Sequence, residues 1–408
     1  MKYFKITALI VAGLCIATLN KQDDHVRYWM KIKAHNKFER SVIADAGLAI
    51  EGAGADYVFA VGSFDQLQTW KNKGLVESSF PLENILQDFP ASDSPYHNYD
   101  RLTKALQDLH SRFPNITTLT SIGKSVEGRD IWALRLCGQM EKADQLPGSI
   151  FMGGHHAREH LSVDTPLRIL ENLLTRYQAQ DAKMMALIDQ RDIHFIPAVN
   201  PDGLEWDIST GSYQYWRKNR VRNSTGTYGV DLNRNYGYMW NHGGSSSDSN
   251  DDTFMGPSAF SEPETRAIRD YVDSHKNLKI LLSFHTFSEL ILYPWGHKYD
   301  HIEDNEDLQV HEVMARRMAQ WNGYTPQQAS ELYIASGDTT DWSYGTHKII
   351  SFTFELDPAN QWNAGGFYPG AQVIDAVVAK NTEPVIYLIE NSDNPKRVLK
   401  GPDNPFRP

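Results

Sequence analysis

Four short apolar runs, residues 149–152, 193–199, 279–284 and 348–354, each deliver polar residues at their carboxyl ends: the turn around His156, the stretch from Asn200 to Asp202, His285, and Glu355. Helical spacing separates them, at residues 98–113, 163–178, 182–190, 263–275, 310–321 and 381–390, with further strand-like runs at 119–121 and 131–136. Strands alternating with helices fold as an α/β sheet with helices packed against it. In open sheets of this kind the ligand crevice lies outside the carboxyl ends of the strands. Were the four runs neighbours in one sheet, their polar ends would meet, so one pattern constrains both fold and site.

The densest of these ends is Gly153, Gly154, His155, His156, Ala157, Arg158, Glu159, His160. It packs imidazoles, a carboxylate and a guanidinium into a turn that two glycines leave open. Catalytic zinc takes three protein ligands, drawn from His and Asp/Glu, and keeps a fourth position for water. The run has three readings at this point. His156 and Glu159 form an i, i+3 pair that can ligate from one turn. His156, Glu159 and His160 spell HxxEH, in which both imidazoles bind and the carboxylate acts as base. The third reading is a polar loop.

Composition narrows the function classes. The net charge of −11, with 51 acidic against 40 basic residues, gives little support to a nucleic-acid groove or a polybasic membrane surface. Two lysines within the first five residues precede an apolar run at 6–19, the pattern of a secretory signal, too short to span a bilayer comfortably. Residues 1–20 are therefore expected to be an export signal, and the chain to be secreted or periplasmic. Beyond Cys15, inside that segment, only Cys137 remains, on one side of a strand-like run, so no intramolecular disulfide follows.

From residue 26 the order of elements reads βαββαβ, the split βαβ or ferredoxin-like arrangement. Ser63 with Gln66 three residues later marks a capping box for its second helix, which runs to Lys73 and stops at Gly74. This small α+β unit holds no His/Asp/Glu cluster and no Gly-rich phosphate loop. A stretch at 79–95 resembles a linker. Placed between an export signal and a hydrolase-like domain, residues 21–87 are expected to be a propeptide with its linker. Residues 88–390 are then the catalytic domain, and 391–408 an exposed polar tail.

HHARE at 155–159, NPDG at 200–203, YWRKNR at 215–220, GVDLNRNY at 229–236, SFHTFSELILYPWG at 283–296, LYIASGDTTDW at 332–342 and SFTFEL at 351–356 together resemble zinc metallocarboxypeptidases of the pancreatic carboxypeptidase A type. The similarity is greatest to the secreted bacterial branch called carboxypeptidase T. It runs from about Asp88 to about Glu390, and the family too carries an antiparallel α/β propeptide. The resemblance implies a mixed central sheet flanked by helices and one zinc ion held by His156, Glu159 and His285, with His160 no ligand. It implies Glu355 as general base and proton shuttle, and Arg217 as the group that stabilises the oxyanion. Asp231 fits a carboxylate that orients a ligand imidazole. Lys218, Arg220 and Arg222, beside Arg217, read as solvated.

Recognition of a free chain end is implied for Asn233 and Arg234, whose planar guanidinium suits bidentate pairing with a carboxylate. Tyr333 matches the mobile tyrosine that closes over the terminus, and Arg158 lines the next subsite. Asp338 and Thr340 lie in the segment that floors the side-chain pocket. Thr340 stands where strictly basic-specific relatives carry an acid, so the expectation is a broad pocket, mainly apolar and tolerant of basic residues. No structural calcium is claimed, since the loop at 139–146 has few carboxylates and Arg101 stands at a position acidic in some relatives. The expected partners are peptides and proteins with a free C-terminus and an activating protease, with no nucleic acid, no membrane span and a monomeric state. A non-catalytic peptide binder would lack a ligand or the base, and none is missing. A cell-wall amidase would have less use for Asn233, Arg234 and Tyr333 together.

Overall fold

The computed structural model describes residues 27–81, 89, 93–209, 213–359 and 366–401. The expected export signal, most of the stretch read as a linker and the last residues of the chain lie outside these.

The N-terminal unit contains β1 (Tyr28–Lys33), α1 (Lys37–Asp45), β2 (Ala49–Ala53), β3 (Tyr57–Gly62), α2 (Phe64–Asn72) and β4 (Val76–Pro81). Its strands pair antiparallel in the order β2-β3-β1-β4, the arrangement expected of βαββαβ. Asn36 caps α1 by accepting from the backbone N–H groups of Phe38 and Glu39. Ser63 and Gln66 make the full capping box on α2, satisfying two donors that a helix start leaves orphaned. Met30, Ile32, Ile43, Leu48, Val58, Leu67 and Trp70 form its core. β4 continues to Pro81, so Ser79 to Pro81 belong to the sheet rather than to a linker.

The larger unit begins with α3 (Tyr99–Arg112), β5 (Thr117–Lys124), β6 (Asp130–Leu136), β7 (Gly148–Met152), α4 (Leu161–Gln178), α5 (Ala182–Gln190), β8 (Asp192–Ile196) and α6 (Pro201–Ile208). It continues through α7 (Pro263–Ser274), β9 (Leu278–Thr286), β10 (Leu290–Tyr293), α8 (Asn305–Asn322), β11 (Thr325–Gln328), α9 (Thr339–His347), β12 (Ile350–Leu356) and α10 (Ile374–Asn391). Eight strands form one mixed sheet in the order β11-β10-β12-β9-β7-β8-β6-β5. The four central strands, β12, β9, β7 and β8, are parallel neighbours, and they are the four whose ends carry the polar residues.

Helices cover both faces, as parallel strands buried on two sides require. Phe151 of β7 points into a core shared with α3, α4, α8 and α10. Ile150 and Met152 point to the opposite core, closed by α7 and by Trp342 of α9. The chain after α10 is not an exposed tail over its described part. Residues Pro395–Lys400 form a 3₁₀ turn that buries Val398 in the main core, and Lys396 pairs with Glu306 at 2.6 Å.

Candidate active site

His156, Glu159, His285 and Glu355 owe their positions to the carboxyl ends of central strands. His285 lies in β9 and Glu355 opposite it in β12, as direct register partners. His156 and Glu159 follow β7 in a turn that only glycine permits. A side chain at Gly153 would sit 1.9 Å from the Ser162 carbonyl oxygen, and Gly154 has φ +65°. Asn200 caps α6 and also donates to the His155 and Lys218 carbonyls at 3.1 Å, tying the turn to the strand after it.

The side chains converge. His156 Nδ1 lies 2.7 Å from Glu159 Oε1, His285 Nδ1 lies 3.0 Å from Glu159 Oε2, and the two Nδ1 atoms are 3.2 Å apart. All three residues are buried, and their donor atoms fit within 4.8 Å of one another, close enough to hold a metal ion. Two neutral imidazoles and one carboxylate are the donor set zinc accepts. Burial opposes the Glu159 charge, but His156 and His285 outweigh it and hold the carboxyl below its ordinary range.

His156 turns its other nitrogen, Nε2, to Asp231 Oδ1 at 3.0 Å, and Asp231 Oδ2 accepts from Arg217 Nε at 2.9 Å. Despite complete burial, Asp231 is held well below the usual carboxylate range, chiefly by Arg217 and then by His156. His160 faces away: its Nε2 lies 2.9 Å from Asp207 and its ring against Phe89. Among the described residues this excludes the HxxEH arrangement. His155 stacks on His285 with centroids 5.4 Å apart and reaches the Tyr236 hydroxyl at 2.9 Å and the Thr339 hydroxyl at 3.1 Å, as a neighbour of the cluster.

One cavity is lined by His156, Glu159, Arg217, Asn233, Arg234, Tyr333 and Glu355. Burial, then the nearby Glu159 and Glu51 carboxylates, push the Glu355 carboxyl well above its ordinary value. Arg234 is anchored by the Gly244 carbonyl at 3.0 Å and the Asn233 carbonyl at 2.8 Å. Asn233 uses Oδ1 to accept from Thr339 N at 3.0 Å and Oγ1 at 2.9 Å, which leaves its amide N–H groups as donors.

Asp338 and Thr340 do not line this cavity. Asp338 Oδ1 caps α9, accepting from the Thr340 and Asp341 N–H groups at 2.9 Å and the Thr340 hydroxyl at 2.5 Å. Its Oδ2 is buried without a hydrogen-bond partner. Arg158 also lies behind the cavity wall, fully buried. The neighbours of Arg217 are not all solvated. Lys218 is buried and donates to the Ser249 and Asp251 carbonyls at 2.9 Å, burial lowering its ammonium to about 8. Arg220 stacks over Trp206 at 3.7 Å.

Reading the sequence missed one participant. Glu51, on β2 of the N-terminal unit, lines the cavity, forms a short ion pair with Arg158 and lies 3.5 Å from Arg217 Nη1. Its one signal is that it is the sole charged residue in the apolar and glycine run at 46–55.

The zinc carboxypeptidase family model, peptidase M14, matches residues 102–384. A zinc carboxypeptidase of Saccharothrix mutabilis subsp. capreolus is 38% identical over 321 residues, 77% of this chain and 73% of the relative. Bovine carboxypeptidase A1 is 32% identical over 284 residues, covering 68% and 66%. The crystal structure of the carboxypeptidase A from Helicoverpa armigera shares the fold, with TM-score 0.75 and 24% identity over 93% of this chain and 99% of that one. Fold and site thus define a metallopeptidase of mixed α/β architecture. The chain belongs to the zinc carboxypeptidase family and is a metallocarboxypeptidase that uses one zinc ion and acts on peptides.

Proposed function

We propose that the protein is an exported precursor whose processed form releases single residues from peptide C-termini, with His156, Glu159 and His285 as the zinc ligands. The ion supplies Lewis acidity, which makes water a nucleophile near neutral pH and polarises a carbonyl. Glu355 takes the water proton and returns it to the leaving amine. Arg217, fixed by Asp231, stabilises the developing oxyanion. Arg234 and Asn233 hold the substrate's terminal carboxylate, and Tyr333 closes over it. Asp338 and Thr340 lie under the pocket that receives the last side chain, which accepts a broad range, mainly apolar and with tolerance for basic residues.

Residues 21–87 act as the propeptide with its linker, removed by an activating protease, and the processed enzyme works as a monomer. Tyr333 donates to the Ile50 carbonyl at 3.3 Å, and Glu51 stands beside Arg217, so β2 lies where a substrate would lie. Export rests on the pattern of residues 1–20, and among the described residues no helix is long and apolar enough to cross a membrane.

The observation that carries the reading is the convergence of His156, Glu159 and His285 beside Glu355 and Arg217 in one cavity. The test is C-terminal residue release by the processed protein from peptides ending in Phe, Leu, Lys, Arg or Glu. Chelation is expected to abolish release, and Glu355→Gln to lower kcat by about 10²- to 10⁴-fold with zinc content unchanged. Full activity in Glu355→Gln would remove Glu355 from its role; no release from any peptide by zinc-loaded protein would overturn the reading.

A further inference from the structure

We propose that His155 is a positioning residue that couples the proposed zinc ligand His285 to the proposed carboxylate-binding Asn233. Through the Ser283 and Thr339 hydroxyls it makes hold on the metal and hold on the substrate terminus depend on one another. This rests on the carboxypeptidase reading above and deepens it.

His155 stands between the two sites. It is fully buried at the start of the turn after β7, its carbonyl is held by Asn200, and its ring lies within 19° of parallel to that of His285. Both of its nitrogens reach hydroxyl groups. Nδ1 lies 3.4 Å from Ser283 Oγ, and Ser283 Oγ lies 3.1 Å from His285 Nε2, the nitrogen on the ring edge away from Glu159 and His156. Nε2 of His155 lies 3.1 Å from Thr339 Oγ1, with the Tyr236 hydroxyl 2.9 Å away as a brace. Thr339 Oγ1 in turn donates to Asn233 Oδ1 at 2.9 Å. One file of hydrogen bonds therefore runs from His285 to Asn233.

Proton positions give this file a direction. A neutral imidazole has one N–H and one lone pair. His285 can ligate through Nδ1 only with its proton on Nε2, so it donates to Ser283 Oγ. Ser283 then has its own proton to give to His155 Nδ1, which places the His155 proton on Nε2. That N–H goes to Thr339 Oγ1, and the Thr339 proton goes to Asn233 Oδ1. Because Asn233 Oδ1 also accepts from the Thr339 backbone N–H at 3.0 Å, both of its lone pairs are engaged and its amide N–H groups are left for a carboxylate. With the proton on His155 Nδ1 instead, Nε2 becomes an acceptor, and the Thr339 hydroxyl is drawn from Asn233 to the ring. A disturbance at either end reaches the other through His155.

The experiment follows zinc transfer from the zinc-loaded full-length chain to a chelator, together with kcat and KM of the processed enzyme on one peptide. Thr339→Val removes the hydroxyl and nearly keeps the volume. It is expected to raise KM by about tenfold with little change in kcat. It is also expected to speed zinc transfer by about fivefold, although Thr339 touches none of the proposed ligands. Thr339→Ser is expected to restore both. In a His155→Leu background Thr339→Val is expected to leave zinc transfer unchanged, because the file is already cut. Ser283→Ala cuts it on the other side and serves as the same background if His155→Leu does not fold. Zinc transfer at the parental rate in Thr339→Val overturns the coupling and leaves Thr339 as a support for Asn233 alone. Equal acceleration with and without His155 overturns the route through it. The zinc measurements need no turnover, so failure to release residues would sink the peptidase reading while zinc transfer still decides the coupling; a chain that takes up no zinc overturns both.

Discussion

Asp231 and His156 are joined by a 3.0 Å contact between the carboxylate Oδ1 and imidazole Nε2, on the ring edge opposite the one that faces Glu159 and His285. The carboxylate fixes which nitrogen carries the proton, and so leaves Nδ1 with its lone pair directed at the cluster. Its second oxygen is spent on Arg217. One buried side chain thus orients a proposed metal ligand and a proposed oxyanion donor. Asp231→Asn keeps the shape and loses the charge. Zinc affinity, measured by competition with a chelator, is expected to fall by about 10- to 100-fold. At saturating zinc, kcat is expected to stay depressed because Arg217 has lost its ion pair. An unchanged zinc affinity would show that Asp231 serves Arg217 alone.

Glu51 supplies the second prediction. A buried ion pair that loses one partner leaves the other charge uncompensated, at a cost of roughly 3–5 kcal/mol. In the proposed precursor, Glu51→Gln takes from Arg158 the nearer of its two carboxylate partners and leaves Asp252, at a surface where the two units meet, so the penalty falls on their docking. The unprocessed Glu51→Gln precursor is expected to hydrolyse small peptides at least about tenfold faster than the parent precursor. After processing the two proteins are identical and must match in rate. A precursor as silent as the parent would mean that the strand backbone, not the carboxylate, blocks the cleft.

Trp29 makes the other half of that boundary. It belongs to an aromatic cluster distinct from the core of its own domain, with Phe59 at 5.4 Å and Phe80 at 6.4 Å on one side and Phe287 at 6.1 Å and Phe367 at 6.4 Å on the other. It is only 1% exposed, so the cluster is sealed. Truncating a fully buried tryptophan costs about 3–5 kcal/mol, and here much of it weakens docking rather than folding of either unit. Trp29→Ala precursor is expected to be converted faster by a limiting amount of protease and to show basal activity. Conversion at the parental rate would count against the cluster as the main clamp.

Much of this arrangement was legible from residue order. The Ser63 and Gln66 capping box, the βαββαβ order and the four strands with polar ends are local patterns, and local chemistry enforces them in the fold. Elements set by their surroundings were not legible. α9, TTDWSYGTH, has no apolar stripe because Thr339, Thr340, Asp341, Trp342, Ser343 and Tyr344 are all buried, and Asp338 starts it through its cap. β11, TPQQ, is a four-residue edge strand held by backbone pairing with β10. Lys218 gives no hint of burial, since the carbonyls that receive its ammonium come from residues 249 and 251. Glu51, a lone charge in an apolar and glycine run, gives no hint of its role for the same reason: its partners lie more than a hundred residues away, as the separation of 107 from Arg158 shows.

His311 allows a prediction about stability that is independent of the site. It is completely buried on α8, with Nδ1 2.7 Å from the Asp307 carbonyl and Nε2 accepting from the Ser351 N–H at 3.2 Å. These partners demand a neutral ring, with the proton on Nδ1, because a second proton would point at an N–H. Tyr344 and Phe352 rings, 5.1 and 5.4 Å away, offer no counter-charge. Burial accordingly lowers its value from 6.5 to about 4. The folded value lies below the unfolded one, so the unfolded chain binds the proton more readily. The contribution is complete above pH 6.5 and is lost progressively as pH falls toward 4, amounting to about 3 kcal/mol over that window. His311→Gln keeps an acceptor and a donor but cannot titrate there. Its unfolding free energy, from urea melts, is expected to start below that of the parent at neutral pH and to fall less steeply between these limits, by about one proton's worth of slope. Parallel curves for the two proteins would show that His311 accepts a proton in the folded state without penalty.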